Sequence, residues 1–165
     1  MNTSLSTTAF DIKIYWNNKT GGGEFVIENG DIALDNCLHS AVLVSLFTDR
    51  VAPLEPSLTE KKSGIGKVDG DRRGWWGDAY AEEPIGSRLW QLVRGIKADR
   101  SSILLSAQDM AIEALTWMVK DGIAASVDVK ATWQEKNMIM LNVSIIEPQK
   151  NQPTVFLFSW VWEGV

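Results

Sequence analysis

The chain has 165 residues, 45% hydrophobic and 22% charged, which fits one globular domain and excludes global disorder. Its formal net charge of −5 argues against nucleic acid as a partner, since phosphate binding rests on clustered Lys and Arg. Eight tryptophans stand out in so short a chain, because indoles concentrate in cores and at interface hot spots.

Cys37, the single cysteine, cannot close an internal disulfide, which suits a reducing compartment. Met1 to Thr8 is polar and lacks the charged and apolar regions of a signal peptide. No apolar run approaches the roughly 20 residues that a membrane span needs. Synthesis in a cytoplasm, with no membrane partner, is expected.

In chain order, Phe10, Ile12, Ile14 and Trp16 alternate with Asp11 and Lys13, the period of a strand with one apolar face. Asn17 to Gly23 reads as a turn. Glu24 to Glu28 and Asp31 to Leu34 flank Asn29-Gly30, a pair suited to a type I′ hairpin turn. A helix is expected from about Cys37, capped by Asp35 or Asn36, with Leu38, Val42 and Leu46, joined by Leu43 and Phe47, as its buried stripe. His39 lies about 200° round that helix from Cys37, so the two cannot meet. It reads as a helix-surface or capping histidine.

Between about 51 and 85 prolines and glycines stop any long element, and loops of this length are usually functional or disordered. Within it, Val68 to Tyr80 places Trp75 and Trp76 among charged residues and three glycines, Gly70, Gly74 and Gly77. Each indole can bury roughly 200 Å² of largely apolar surface, so the pair needs a cover, from this chain's core or from another protein.

Ser87 is a plausible N-cap for a helical segment with Leu89, Trp90 and Val93 on its apolar face. A further helix is expected from about Ser106 to Asp121, presenting Met110, Leu115, Trp117 and Met118, with Gly122 as its stop. Ala125 to Trp133, Met138 to Ile146 and Thr154 to Trp162 read as strands. The fold class is α+β: an antiparallel or mixed sheet from N- and C-terminal strands packed against two to three helices, with a long irregular Trp-rich loop. Residues 1–165 form one domain.

The last strand is apolar on both faces, with Phe156, Phe158, Trp160 and Trp162 on one and Val155, Leu157 and Val161 on the other. Two readings stand. A central strand would be covered on both sides by this chain. A strand at the sheet edge would need another chain to pair with it.

Catalytic patterns are absent: there is no Gly-x-Ser-x-Gly, Walker A or dinucleotide-binding motif. One Cys and one His make no transition-metal site, and Asp69, Asp71 and Asp78 lack the regular offsets of a calcium loop. Asp71, Asp78, Glu82 and Glu83 beside tryptophans superficially suit a glycosidase carboxylate pair. Arg72 and Arg73, however, would depress rather than raise a neighbouring carboxyl pKa, which favours an Asp–Arg network that shapes the loop. No catalytic residue, metal, cofactor or small-molecule substrate is expected.

The order of elements resembles the Mu-type tail baseplate proteins of contractile-tailed phages, relatives of the small T4-like wedge protein that starts the tail sheath. The resemblance rests on the Asn29-Gly30-Asp31-Ile32 hairpin and the helix running into Leu46-Phe47-Thr48-Asp49-Arg50. Asp71-Arg72-Arg73-Gly74-Trp75-Trp76-Gly77-Asp78, Gly86-Ser87-Arg88-Leu89-Trp90 and the Asp121-Gly122 break complete it. Gly70-Asp71-Arg72 stands where the wider family has a docking Gly-Glu-Arg motif, with Asp replacing Glu.

The resemblance implies a non-enzymatic structural protein of the tail baseplate, made in the host cytoplasm, with other wedge proteins and the tail sheath protein as partners. Asp71, Arg72, Trp75 and Trp76 are then expected in a wedge-docking loop, with Arg73, Asp78, Arg88 and Trp90 among the partner-binding residues. Phe156, Phe158, Trp160 and Trp162 belong to a sheath-facing strand that pairs by backbone hydrogen bonds. Some family members have been described as lysozyme-like, so a cell-wall glycoside hydrolase of the tail is the alternative.

Overall fold

The computed structural model describes residues 10–57, 60, 70–80, 83–94 and 99–161. Six short strands come first, in antiparallel pairs. They are β1 (Phe10–Ile12) with β6 (Leu34–Asn36), β2 (Ile14–Asn17) with β3 (Gly22–Phe25), and β4 (Ile27–Glu28) with β5 (Asp31–Ile32). The chain changes partner at Lys13, Val26 and Ala33, which close a ring of backbone hydrogen bonds. Lys13 N–H donates to Ala33 O at 2.8 Å, Ala33 N–H to Val26 O at 2.8 Å, and Val26 N–H to Lys13 O at 3.1 Å. The expected first strand is therefore two strands broken at Lys13. The hairpin turn is as read, with Asn29 and Gly30 at φ 53° and 83°, both positive as type I′ requires.

Helix α1 (Cys37–Phe47) buries Leu38, Val42, Leu43 and Leu46, the anticipated stripe. Helix α2 (Arg100–Lys120) starts about two turns earlier than Ser106. Asp99 caps it, its carboxylate accepting from the Ser101 and Ser102 N–H groups at 2.9 Å each. That earlier start adds Ile103 and Ala107 to a buried stripe continued by Met110, Ala111, Ala114, Leu115 and Met118. Gly122, at φ 72°, follows the helix end as expected.

Strands β7 (Ser126–Glu135), β8 (Met138–Ile146) and β9 (Thr154–Val161) form an antiparallel sheet with β8 in the middle. Register places Val129, Val143 and Phe156 in one row and Ala131, Leu141 and Phe158 in the next. These rows face the helices, and with α1, α2, Leu89 and Leu92 they make the core.

The architecture is α+β with antiparallel pairing, but one expectation is corrected. Among the described residues, strands from the two ends of the chain share no ladder. They meet through side chains instead. The Trp16 indole Nε1 donates to Ser159 O at 2.8 Å, and Ser159 N–H donates to the Asn18 side-chain oxygen at 3.1 Å. Trp16 also stacks on Phe47, ring centres 3.6 Å apart.

Among the described residues strand β9 lies at an edge of a three-stranded sheet, not at its centre. Its core face is covered by this chain, and Val155, Leu157 and Val161 on the other face are exposed. His39 is also corrected: it is half-buried, its ring 5.5 Å from Phe156 and 6.3 Å from Phe158. It belongs to the aromatic packing between α1 and β9.

Candidate partner-binding surface

Two segments far apart in sequence are laced together after α1. Ser87 N–H donates to Thr48 O and Arg50 N–H to Ser87 O, both at 2.9 Å, which makes a parallel bridge between Asp49 and Ser87. Gly86 is required here. At φ 102°, a Cβ on it would lie 2.3 Å from Thr48 O. The Ser87 hydroxyl accepts from Leu89 N–H at 3.2 Å, the expected cap, and the segment it opens is a 3₁₀ turn, Leu89–Arg94. Leu89, Trp90, Gln91 and Leu92 are its buried residues, and Val93, expected on the apolar face, is exposed.

The Asp71-Arg72-Arg73 run is strapped onto residues 49–52. Ala52 N–H donates to Arg72 O at 3.1 Å, and the Arg72 guanidinium returns to Ala52 O through Nε at 3.0 Å. Arg73 pairs with Asp49 at 2.7 Å and with Asp71 at 3.5 Å, and its guanidinium carbon lies 5.2 Å from the Trp90 ring centre. The hydrogen bond to Asp49, with the charge beside it, raises the Arg73 pKa despite partial burial. Trp90 donates its indole N–H to Arg50 O at 2.9 Å. The anticipated Asp–Arg network is thus present, with Asp49 as a member that the sequence reading missed.

Beyond this strap the chain turns outward. Trp76–Tyr80 is a 3₁₀ turn whose Asp78 N–H donates to Trp75 O at 3.0 Å. Asp78 ties the turn back by accepting from Ile85 N–H at 2.9 Å, and its second oxygen is buried with no hydrogen-bond partner among the described residues. Trp75 folds over Gly77, and its ring centre lies 5.3 Å from that of Trp76. Trp76 is 78% exposed and Tyr80 89%. An apolar surface of this kind on a braced turn is a hot-spot arrangement. Tyr80 was missed by the sequence reading, although its place four residues after Trp76 in the same loop was the available signal.

The other expected partner-binding residues lie elsewhere. Arg88 is largely buried, bound to Glu113 through Nε at 3.1 Å and Nη2 at 2.9 Å, and to Glu60. Burial works against its charge, but the Glu113 and Glu60 hydrogen bonds prevail and raise its pKa. Trp90 and Phe158 are core residues, Phe158 being 1% exposed. Phe156 and Trp160 are half-buried against the same core. Trp162 and Glu82 lie outside the described residues. Trp76, by contrast, stands in the open, with the partly exposed Trp75 beside it.

Among the described residues no three His, Cys, Asp or Glu side chains cluster to hold a metal, and no helix is long and apolar enough to cross a membrane. Asp71 is held beside Arg73, and Asp78 is turned inward to Ile85.

Residues 38–152 match the family model described as "Phage protein GP46". The "Mu-like prophage FluMu protein gp46" of Haemophilus influenzae is 33% identical over 152 residues, which cover 91% of this chain and 97% of that protein. The "Baseplate protein gp46" of Escherichia phage Mu is 35% identical over 138 residues, covering 84% of this chain and 88% of that one. The tryptophan loop, the Asp49–Ser87 bridge and α2 all fall within the matched region. The chain belongs to the phage protein GP46 family, that of the Mu-type baseplate proteins.

Proposed function

We propose that the chain is a non-enzymatic structural component of a phage tail baseplate that docks onto wedge proteins through its tryptophan loop. Trp75 and Trp76 make the contact, with Tyr80 beside them. Asp71, Arg72, Arg73 and Asp78 hold the loop in its docking shape, and Arg88 and Trp90 brace it from within. One observation carries this reading: a solvent-facing indole pair sits on a turn whose base is fixed by hydrogen bonds and ion pairs. A fixed aromatic anchor loses little entropy on binding, which is why such residues dominate interface energies.

The second part of the proposal concerns β9, which helps initiate the sheath by pairing with a sheath strand. Its position at the edge of the described sheet and the exposed Val155, Leu157 and Val161 support this, with pairing centred on residues 154–157 because Trp16 and Asn18 already bond the Ser159 C=O and N–H. Phe156, Phe158 and Trp160 act from the opposite face by fixing the strand against α1. The virion tail is the implied location.

Co-purification with the neighbouring tail proteins tests the docking assignment. The wild-type chain should co-purify, and the Trp75→Ala/Trp76→Ala protein should fold but be lost from the complex. Retention of the double variant would remove the loop from the account. Clearing of a cell-wall suspension by the pure chain, abolished by Asp71→Asn, would replace the structural role with hydrolysis.

A further inference from the structure

Side chains alternate along β7, β8 and β9, so the sheet that turns one face to the helices turns a second face away from them. Register sets the rows of that second face. Asp128, Ser144 and Val155 stand side by side, and Lys130, Asn142 and Leu157 form the next row. The core row of Val129, Val143 and Phe156 lies between them on the opposite face. Asp128 and Lys130 are exposed, Val155 and Leu157 are 50% and 56% exposed, and Met140 and Ile146, one row farther out on either side, are half-buried. An open sheet face that is apolar along β9 marks an interaction surface.

The charges choose the occupant. The two rows carry one carboxylate and one ammonium, and no ion pair joins either to another described residue. Consider a two-fold axis between two such faces, crossing the strands at the level of Val129, Val143 and Phe156. It reverses the order of the rows. Asp128 then meets the second copy's Lys130, and Lys130 its Asp128. Leu157 meets Val155, Asn142 meets Ser144, and Met140 meets Ile146. Every side chain so placed finds one of matching kind, charge against opposite charge and apolar against apolar. A partner of uniformly acidic or basic chemistry would instead set one of the two charges against its own sign. We propose that this face docks a second copy of the chain, as a two-fold dimer with the sheets about 10 Å apart.

Size sets the strength. Three strands about 4.8 Å apart, eight residues long in β9 at about 3.3 Å each, present roughly 14 by 26 Å. That is well under the about 800 Å² per partner of a stable complex, so the dimer is reversible, with a dissociation constant on the order of 0.1 mM. The contact uses neither the tryptophan loop nor the backbone groups of the β9 edge, and it does not rest on the baseplate reading.

Sedimentation equilibrium of the full-length protein, from about 10 µM to about 1 mM, tests it. Salt of about 0.15 M screens the general repulsion between chains of net charge −5. The wild type should dimerise. Leu157→Asp should weaken the dimer on the order of tenfold or more. So should Asp128→Lys, which sets lysine against lysine across the axis. The swap Asp128→Lys/Lys130→Asp should restore wild-type affinity. The Asp128→Lys and Lys130→Asp proteins, once mixed, should pair with each other in preference to themselves. Both charges sit on β7, two strand spacings or about 10 Å from β9, so this rescue separates the face from pairing at the β9 edge. The replaced side chains are exposed, so each variant should melt with the wild type in dilute solution. Should Leu157→Asp melt lower, the charge swap carries the same test.

Trp75→Ala/Trp76→Ala should dimerise as the wild type does, and loss of the dimer there would overturn the inference. A chain monomeric throughout the range, a dimer indifferent to Leu157→Asp, or a charge reversal that the swap does not rescue would also overturn it. Capture of a purified tail protein by a monomeric wild type, lost with Leu157→Asp, would give the face to that protein. A dimer formed only after removal of residues 2–9 would give it to the chain's own leading segment. Either result overturns the proposal.

Discussion

The Trp75 ring lies so close over Gly77 that a Cβ at Gly77 would meet a ring carbon at 2.1 Å. No side chain other than hydrogen fits beneath the indole, so the two residues are fixed as a pair. Gly77→Ala should therefore turn Trp75 out of place. Because the ring can swing into water, stability should fall by less than about 1 kcal/mol, while binding to wedge proteins weakens. Tryptophan fluorescence and a thermal melt measured on the same sample check both halves.

Trp76→Ala separates folding from docking more sharply. The side chain is solvent-facing, so unfolding free energy should move by no more than about 0.5 kcal/mol. Partner affinity should fall by about 2 kcal/mol or more if the indole is an interface anchor. Titration calorimetry against the co-purifying protein gives that value directly.

Phe158→Ala should do the reverse. The ring is buried in the core and touches Trp16, Phe47 and Phe156. Its removal should cost about 3–5 kcal/mol, read by chemical denaturation. A loss below about 1 kcal/mol would place the ring outside the stabilising core.

Acid should weaken the fold through Glu60. Burial pushes its carboxyl up, but hydrogen bonds from Ser57 and Arg88 outweigh that and hold the pKa below the ordinary glutamate value. A depressed folded pKa means this stabilisation is complete above the unfolded pKa, 4.5, and lost as pH falls through the lower folded value. Glu24 and Asp99 are shifted in the same direction, by hydrogen bonds from Tyr15 and from Ser102 respectively. Glu60→Gln should thus shrink, not abolish, the loss of stability below about pH 4.5. Melting temperatures from pH 3 to 7 provide the check.

Much of the fold was legible in the sequence because local chemistry decided it. Asn29-Gly30 could close a type I′ turn, the turn at Glu135-Lys136-Asn137 located the start of β8, and the α1 stripe buried as spaced. What escaped was non-local. Trp16 and Asn18 reach across to Ser159 over more than 140 residues of chain, and no periodicity announces a side chain that caps another strand's backbone. Arg88 looked like a surface recognition residue because its two carboxylate partners, Glu60 and Glu113, are distant in sequence. The candidate site was half legible: the indole pair demanded a cover, but Asp49 as the Arg73 partner required the fold.

The central claim is that neighbouring subunits grip the indole-bearing turn. Oxidative footprinting of Trp76, compared between the free protein and intact tail particles by mass spectrometry, tests it most directly. Rapid modification in the free chain and strong protection in the particle is the predicted result. Equal rates in both would contradict the claim.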